Sequence, residues 1–296
     1  MMNRAINDLC QLKDDKLFQE ISIGMGHILE VVKRLGRSAS RLPGYKKVHT
    51  KSLHSHAVHL LGALAEEEAA KFFILLDFVR CPRSQQKSRS RQLGYFYDHL
   101  AKGIYAEICS RHFVDFADVA RFVNSRRKAF YLDGPMDVDW IFSNNILSRR
   151  EDRFYVNYVK DGDDNYYWQY PRTTDFEIGY HTGTVIEIAR ALDAVDLASP
   201  KGLAIVAEIW RTVEVKPELT HHEISMLNRQ TLKHLQEKGL SRDTPCETFD
   251  FIEQRWSFPL YSLDLSLDPP THDRKAQKKR IKELRDIQER WTPDDY

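Results

Sequence analysis

Apolar residues recur at helical spacing along most of the chain. In residues 16–35 they fall three or four positions apart and form one stripe, which comprises Leu17, Ile21, Met25, Ile28, Leu29 and Val32. Comparable patterns predict helices over residues 50–78, 92–110, 116–127, 138–147 and 174–194. Capping signals predict two more helices, which begin at Ser199-Pro200 and at Thr220-x-x-Glu223. The pattern therefore predicts an all-α fold.

Some segments depart from this pattern. Residues 36–47 are basic and contain glycine and proline, which predicts a loop. Residues 154–159 are β-prone and precede a strong turn signal, so we expect a small β-like insertion near 154–170. Residues 244–270 mix aromatic residues with proline and show no helical stripe. The charged tail, residues 272–291, is again a helix candidate.

Composition limits the classes of function. The chain has 296 residues, of which 42% are hydrophobic and 29% charged, an ordinary globular balance. The formal net charge is +1, so a nucleic-acid site would have to be a local patch. The four cysteines form no CxxC pair, which argues against a disulfide framework or a cysteine zinc site. Because no apolar run is long enough to span a bilayer, we expect a cytoplasmic protein without membrane partners.

A first candidate for chemistry is the segment 64–71, with the sequence LAEEEAAK. Glu67 and Lys71 are four positions apart on a predicted helix, so they share a face and can pair. A solvated ion pair would contribute little. This helix is apolar nearly all round, however, and charges on such a helix tend to be buried in pairs or placed at an interface. Both interpretations stay open.

A second candidate is the pair His99 and Lys102, three positions apart within the pattern FxxHxxK of residues 96–102. A lysine nearby disfavours protonation of the histidine, and a neutral imidazole can act as a general base. The lysine could hold a phosphate. The alternative is a histidine that is only hydrogen-bonded at a helix surface.

A third candidate is the basic and aromatic cluster of Arg149, Arg150, Arg153, Tyr155 and Tyr158. Guanidinium groups bind phosphate with two hydrogen bonds, and tyrosine hydroxyls can donate to it. The cluster is therefore a candidate site for a nucleic-acid backbone. It could equally be a basic helix end that complements the helix dipole, with tyrosines packed beside a strand.

Taken in order, these patterns resemble the AbiV branch of the HEPN superfamily, helical domains of bacterial abortive-infection systems. That family has an LAxEExxK helix, an FxxHxxK helix and an RxxxLYVDY…W…P stretch, for which Trp168 and Pro171 supply the last two positions here. The resemblance covers roughly residues 15–195. It implies a HEPN-like helical bundle over residues 1–198, followed by a helical C-terminal extension over residues 199–296.

The resemblance also implies a function. It suggests an anti-phage effector that halts host growth, acting as a metal-independent endoribonuclease on tRNA, rRNA or mRNA, as a homodimer, without a cofactor and with a phage protein as trigger. In such a site His99 would be the base, and Arg150, Arg153 and Lys102 would hold phosphate. Glu67 and Lys71 would orient these groups. The remaining contacts to RNA would come from Arg149, Tyr155 and Tyr158.

One feature departs from the pattern. Many HEPN ribonucleases carry Arg-x(4–6)-His, and no histidine follows Arg149, Arg150 or Arg153 at that spacing. The match formed by Arg229 and His234 lies in a later helix, where the two side chains would point about 140° apart. A non-catalytic helical module that binds a phage or host protein is therefore the alternative. Convergence of His99 with the arginine cluster would favour catalysis.

A histidine cluster lies early in the chain, at His49, His54, His56 and His59. Metal-binding helices usually space their histidines four apart, whereas here the last three are two and three apart. No acidic residue lies among them. We therefore predict no metal site.

Overall fold

The architecture is that of a helical bundle with two short β-ribbons. It is taken from a computed structural model, which describes residues 8–42, 55–131, 142–160, 166–169, 183–241 and 244–268. The helices are α1 (Asp14–Arg41), α2 (Ser55–Arg80), α3 (Gln86–Gly94), α4 (His99–Cys109), α5 (Phe116–Arg126), α6 (Asn145–Phe154), α7 (Thr184–Ala194), α8 (Pro200–Trp210), α9 (His221–Glu237) and α10 (Cys246–Arg255). The all-α prediction is confirmed, and none of the described helices is both long and apolar enough to cross a membrane.

The two ribbons are antiparallel. Strands β1 (Phe130–Tyr131) and β2 (Phe142–Ser143) form one, and β3 (Asn157–Lys160) and β4 (Tyr166–Gln169) form the other. In the second ribbon, Tyr158 pairs with Trp168. The β-like insertion expected near 154–170 thus contains two paired strands, and residues 161–165 between them lie outside the described residues.

The first helix is longer than its predicted stripe. The predicted loop at residues 36–47 is wrong for 36–41, which continue α1 as far as Arg41. Ala39 is buried and lies seven positions after buried Val32, so the apolar face extends through the last turns. Gly36 is tolerated because tertiary packing outweighs its weak helix propensity. Residues 43–47 lie outside the described part of the chain.

Helix α2 is the central element. It is apolar nearly all round, as an internal helix must be, and it packs against α1, α4, α7 and α8. The side chains of Ala69, Phe72, Ile74 and Phe78 are fully buried. The prediction of a helix here is confirmed for the described residues from position 55 onward.

A single long helix over residues 92–110 was predicted, and this is wrong. The helix is interrupted at Asp98, whose extended backbone separates a 3₁₀ turn (Tyr95–Tyr97) from α4. The Asp98 carboxylate accepts hydrogen bonds from the backbone N–H groups of Leu100 (2.8 Å) and Ala101 (3.1 Å). An acidic N-cap of this kind begins a new helix and favours the break. His99 is therefore the first residue of α4.

The end of α2 carries a buried ion pair. Nη1 of Arg80 donates to Oδ1 of Asp77 at 3.1 Å. Oδ2 of Asp77 accepts from the hydroxyl of Tyr105 on α4 and from the backbone N–H of Leu260, both at 2.7 Å. Burial raises the pKa of Asp77, and the positive charge of Arg80 and the two hydrogen bonds oppose that rise. Three separate parts of the chain therefore meet at one carboxylate.

The guanidinium group of Arg80 also lies against two indole rings. Its central carbon is 3.8 Å from the ring centroid of Trp210 and 4.2 Å from that of Trp256. Cation–π contacts of this kind are strongest where water is excluded. Residues on both sides of position 198, where the bundle was expected to end, contribute to this one core.

Two predicted helix starts near the C-terminus are confirmed. Ser199 caps α8, and Thr220 forms a capping box with Glu223 at the start of α9. Gly239, which follows α9, has a φ of 75° and so suits the end of that helix. The segment 244–270 shows no helical stripe in the sequence, yet α10 occupies part of it. The charged tail lies outside the described residues.

Replacing Arg80 with methionine should destabilise the protein strongly. The change leaves Asp77 buried without its charge partner, which typically costs about 3–5 kcal/mol. The free energy of unfolding, measured by urea titration, should fall by that amount. The matched control is Arg34→Met, because Arg34 forms an exposed pair with Glu30 and should contribute at most about 0.5 kcal/mol. Equal effects of the two changes would contradict the role of the buried pair.

Candidate functional site

The carboxylate of Glu67 joins three helices. Its Oε2 atom lies 2.8 Å from Nδ1 of His99 and 3.3 Å from Nζ of Lys102, both on α4. Its Oε1 atom accepts a 2.8 Å hydrogen bond from Nε of Arg150 on α6. Residues of the second and third sequence patterns thus both contact Glu67, which belongs to the first pattern.

Glu67 is ionised at neutral pH. Burial opposes its ionisation, but the hydrogen bond from His99 and the charges of Lys102 and Arg150 outweigh this, and the pKa lies below its ordinary value. An ionised carboxylate only accepts hydrogen bonds, so Nδ1 of His99 must be the donor. In neutral His99 the Nε2 atom is then the proton acceptor. Among the described residues, none hydrogen-bonds to Nε2, and the side chain is 44% exposed.

A cleft of about 190 Å³ opens beside Glu67. The predicted residues that line it are Glu67, His99, Lys102, Arg149, Arg150 and Arg153. Glu66, Glu107 and Phe154 also line it. His99 and the arginine cluster therefore converge, which is the geometric condition that catalysis would require.

The cations of the cleft differ in their surroundings. Lys102 is only 6% exposed and is held by Glu67, so it is poorly placed to meet a phosphate from solvent. Arg150 is also held by Glu67, and its guanidinium carbon lies 5.0 Å from the ring centroid of Phe154. Arg149 is largely exposed and lies 3.5 Å from Glu107, a contact that solvent weakens. Arg149 is therefore the most accessible of these three cations.

Lys71 does not line this cleft. Its Nζ atom donates to Glu68 at 2.6 Å and lies 5.1 Å from the ring centroid of Phe96. The expected pairing of Lys71 with Glu67 is thus wrong, because Glu67 is occupied by partners from α4 and α6. Any influence of Lys71 on the site would be indirect, through Phe96 in the turn before α4.

The predicted tyrosines lie beyond the arginines. Tyr155 is about half exposed, and its ring centroid is 6.2 Å from that of Phe154, which lines the cleft. Tyr158 belongs to β3, but its side chain lies outside what the structure describes. Val156 and Trp168 are also largely exposed, at 59% and 66%. Tyr155 is therefore an exposed aromatic side chain at the edge of the cleft.

Glycine at position 103 allows α4 and α6 to approach. A Cβ atom at Gly103 would lie far inside van der Waals distance of Cγ2 of Ile146. This contact brings Arg150, one turn further along α6, onto Glu67. Sequence analysis did not single out Gly103, although a glycine within a helix is a signal of close backbone approach.

Asn144 fixes the start of α6. Its side-chain oxygen caps the helix by accepting from the N–H groups of Ile146 and Leu147. Its side-chain nitrogen donates to the carbonyls of Arg126 (2.7 Å) and Lys128 (2.9 Å), at the end of α5. The amide is buried and fully bonded, so α6 and its arginines are held in place. A helix was predicted over residues 138–147, which placed Asn144 inside it. In the structure α6 begins only at Asn145, so Asn144 is its N-cap.

The alternative Arg-x(4–6)-His match forms no site in the described part of the chain. Arg229 makes two hydrogen bonds to Glu253, at 3.0 and 2.6 Å, so its guanidinium group is occupied. Within the described residues, no three His, Cys, Asp or Glu side chains are grouped closely enough to hold a metal ion. His49 and His54 lie outside those residues.

No family model, no curated protein and no solved structure matches the chain.

Replacing Gly103 with alanine should push α6 away from α4. Overpacking of this kind typically costs about 1–3 kcal/mol, and it should also lengthen the contact between Arg150 and Glu67. The free energy of unfolding should fall accordingly. The matched control is Gly26→Ala in α1, where a Cβ atom would meet nothing within 4 Å and should add about 0.5–1 kcal/mol of stability. A stabilising effect at both positions would refute the close approach.

Acid should weaken the cluster through Glu67. Its folded pKa lies below the value of about 4.3 in an unfolded chain. The stabilisation is therefore complete above that unfolded value and is lost as pH falls through the folded pKa. The free energy of unfolding of Glu67→Gln, measured with urea, should fall less between about pH 7 and about pH 3 than that of the wild type. An equal fall in both proteins would show that Glu67 contributes nothing.

Proposed function

We propose that this protein is a bacterial anti-phage effector of the abortive-infection type, which halts host growth by cleaving RNA in the cleft beside Glu67. The observation that carries the proposal is the Glu67–His99 pair, in which a carboxylate holds Nδ1 and leaves Nε2 as the acceptor. A histidine held in this way is a suitable general base. Arg149 and Arg153 line the same cleft and supply positive charge for a phosphodiester.

The chemistry needs no metal ion. Nε2 of His99 removes the proton from a ribose 2′-hydroxyl, and that oxygen attacks the adjacent phosphorus. The bond from phosphorus to the 5′-oxygen breaks, and the departing oxygen takes a proton from solvent. The products are a 2′,3′-cyclic phosphate and a 5′-hydroxyl end. Glu67 stabilises the imidazolium that forms, as carboxylates paired with histidine bases do.

The structure suggests a division of roles among the predicted residues. Lys102 and Arg150 contact Glu67, so we assign them to positioning its carboxylate against His99. Arg149 and Arg153 are assigned to phosphate binding, with Tyr155 available at the edge of the cleft to stack on a base. The assembly of a homodimer, action in the cytoplasm, the choice among tRNA, rRNA and mRNA, and activation by a phage protein are further parts of this proposal.

The resemblance to the AbiV branch of the HEPN superfamily gains support from this geometry. The three patterns that suggested it are separated in sequence by up to 83 positions, as Glu67 and Arg150 are, yet they contact one another directly. Chance matches to short motifs have no reason to converge. A shared site is the simplest physical account of their joint occurrence.

A second candidate function is that of a non-catalytic module that binds a phage or host protein. The observation that favours it is that three large apolar or aromatic side chains in or just before the second ribbon, Tyr155, Val156 and Trp168, are exposed. Exposed aromatic residues are enriched at protein interfaces. In this case the charged cluster would only hold α2, α4 and α6 together.

Replacing His99 with glutamine should separate the two functions. Glutamine can still hydrogen-bond to Glu67 but cannot act as a base, so RNA cleavage should fall by about 10²- to 10⁴-fold. The wild type and the variant are expressed in a bacterium from an inducible promoter. Growth arrest is recorded, and new RNA ends are mapped by sequencing that captures cyclic phosphates.

The matched control is His222→Gln, which changes an exposed histidine of α9 outside the cleft. New ends with wild type and His222→Gln, but not with His99→Gln, would support the ribonuclease. Growth arrest that persists in His99→Gln without new ends in any protein would rule out cleavage and favour the interaction module.

A further inference from the structure

Two arginines of the cleft occupy successive turns of one helix face. Arg149 and Arg153 are four positions apart on α6, so they share a face and lie about 6 Å apart along the helix axis. Both line the cleft beside Glu67. Arg150, the neighbour of Arg149 in sequence, is instead bound to Glu67 through its Nε atom. The cleft is therefore bordered by two cations whose spacing is set by the helix.

Arg149 lies at the end of the cleft that is far from His99. Its Nη1 atom is 3.5 Å from Oε1 of Glu107, which also lines the cleft. Glu107 follows His99 by eight positions on α4, which is about 12 Å along the axis of that helix. A group bound by Arg149 would therefore occupy a different part of the cleft from a group that reacts at His99.

Arg153 lies towards the other end, because α6 crosses α4 in the opposite sense. Ile146, near the start of α6, packs against Gly103. Arg150, one turn later, reaches the carboxylate that also holds His99. Gly103 follows His99 by four positions, so progress along α6 leads from the middle of α4 towards its first residue. Arg153 is three positions further along and therefore belongs to the His99 end of the cleft.

Each end of the cleft carries one unbalanced positive charge among the described residues. At the far end, Glu107 pairs with two cations, Arg149 and Arg126, and Nε of Arg126 lies 2.7 Å from Oε2 of Glu107. At the His99 end, Glu67 likewise pairs with one cation from α4 and one from α6. Each phosphate of a nucleic-acid strand carries a single negative charge, so each end suits one phosphate.

We propose that the cleft binds two consecutive phosphates of one RNA strand, with Arg153 at the phosphate that is cleaved beside His99 and Arg149 at its neighbour. One ribose unit separates successive phosphates, a distance comparable with one turn of α6. This inference rests on the function proposed for the cleft and adds a second phosphate subsite to it. The ligand is thus a strand with at least two phosphodiesters, because a dinucleotide would leave the Arg149 subsite empty.

The test uses a 2′-O-methyl oligonucleotide with a single ribose, so that cleavage is possible at one phosphate only. In two further oligonucleotides, the adjacent phosphate on the 5′ or on the 3′ side is an uncharged methylphosphonate. Cleavage is measured as kcat/KM, and binding of the same sequences without the ribose is measured by fluorescence anisotropy. One of the two methylphosphonates should weaken both by about 10-fold, as expected for the loss of a hydrogen bond between charged groups. An effect at neither side, or at both sides, would overturn the proposal.

Arginine variants assign the neighbouring phosphate. Arg149→Gln should weaken binding of the fully charged oligonucleotide by about 10-fold. It should not weaken binding of the sensitive methylphosphonate oligonucleotide further, because the charge that Arg149 contacts is already absent. Arg153→Gln should weaken the binding of both oligonucleotides, and Arg34→Gln, which changes an exposed arginine of α1, should weaken neither. Equal losses of binding in Arg149→Gln for the two oligonucleotides would show that Arg149 does not contact that phosphate.

The second subsite and the proposed ribonuclease fail in different ways. If the oligonucleotides bind as expected but the one with the ribose is not cleaved, the ribonuclease function is wrong and the site for two phosphates stands. If cleavage occurs but neither methylphosphonate weakens it, the second subsite is wrong and the ribonuclease stands. If no oligonucleotide binds, the site for two phosphates is wrong.

Discussion

The ion pair between Asp77 and Arg80 sets the arrangement of the protein. Both charges are cut off from water, so each must find its partners inside. Tyr105 brings α4 to this pair, Leu260 brings the segment after α10, and the two tryptophans bring α8 and the end of α10. Burial of two charges would be costly without these contacts, and so α2 has little freedom to shift or rotate.

Because α2 is held in place, the position of the cleft is fixed as well. Glu67 lies ten residues before Asp77 on the same helix, a distance of about 15 Å along its axis. Tyr105 follows Lys102 by less than one turn of α4, so the contact of Tyr105 with Asp77 also orients the part of α4 that carries His99 and Lys102. One helix pair is thus held at two places, once in the core and once at the candidate site.

The sequence predicted much of the candidate site but not its contacts. Helical spacing correctly places His99 and Lys102 together, because residues three apart share a face. The same rule suggested that Glu67 pairs with Lys71, whereas Lys71 contacts Glu68 and Glu67 turns to α4 and α6. Spacing reports which face of a helix a residue occupies, and partners on other helices follow only from tertiary packing. Asn144 and Gly103 were missed for the same reason.

The prediction of the fold from sequence had a similar limit. Repeated apolar positions identified the long helices, since packing buries one continuous stripe in each. Their ends were less predictable: the cap at Asp98 divides one predicted helix, and burial of Ala39 extends another. Helix α10 escaped notice because Ile252 is its only fully buried residue within the described chain, so it has no stripe to detect. A periodic pattern of apolar residues therefore does not reveal where a capping side chain ends a helix, or a helix that buries few residues.

The buried amide of Asn144 also has a consequence for how the protein can vary in length. Its bonds to the carbonyls of Arg126 and Lys128 tie the start of α6 directly to the end of α5, so two points of the chain that are 16 or more residues apart are held together. The entropy of closing a loop grows slowly, by about 0.6 kcal/mol for each doubling of its length. A modest change in the number of residues between Lys128 and Asn144 should therefore cost little, because the Asn144 bonds would still hold α6 and its arginines in place.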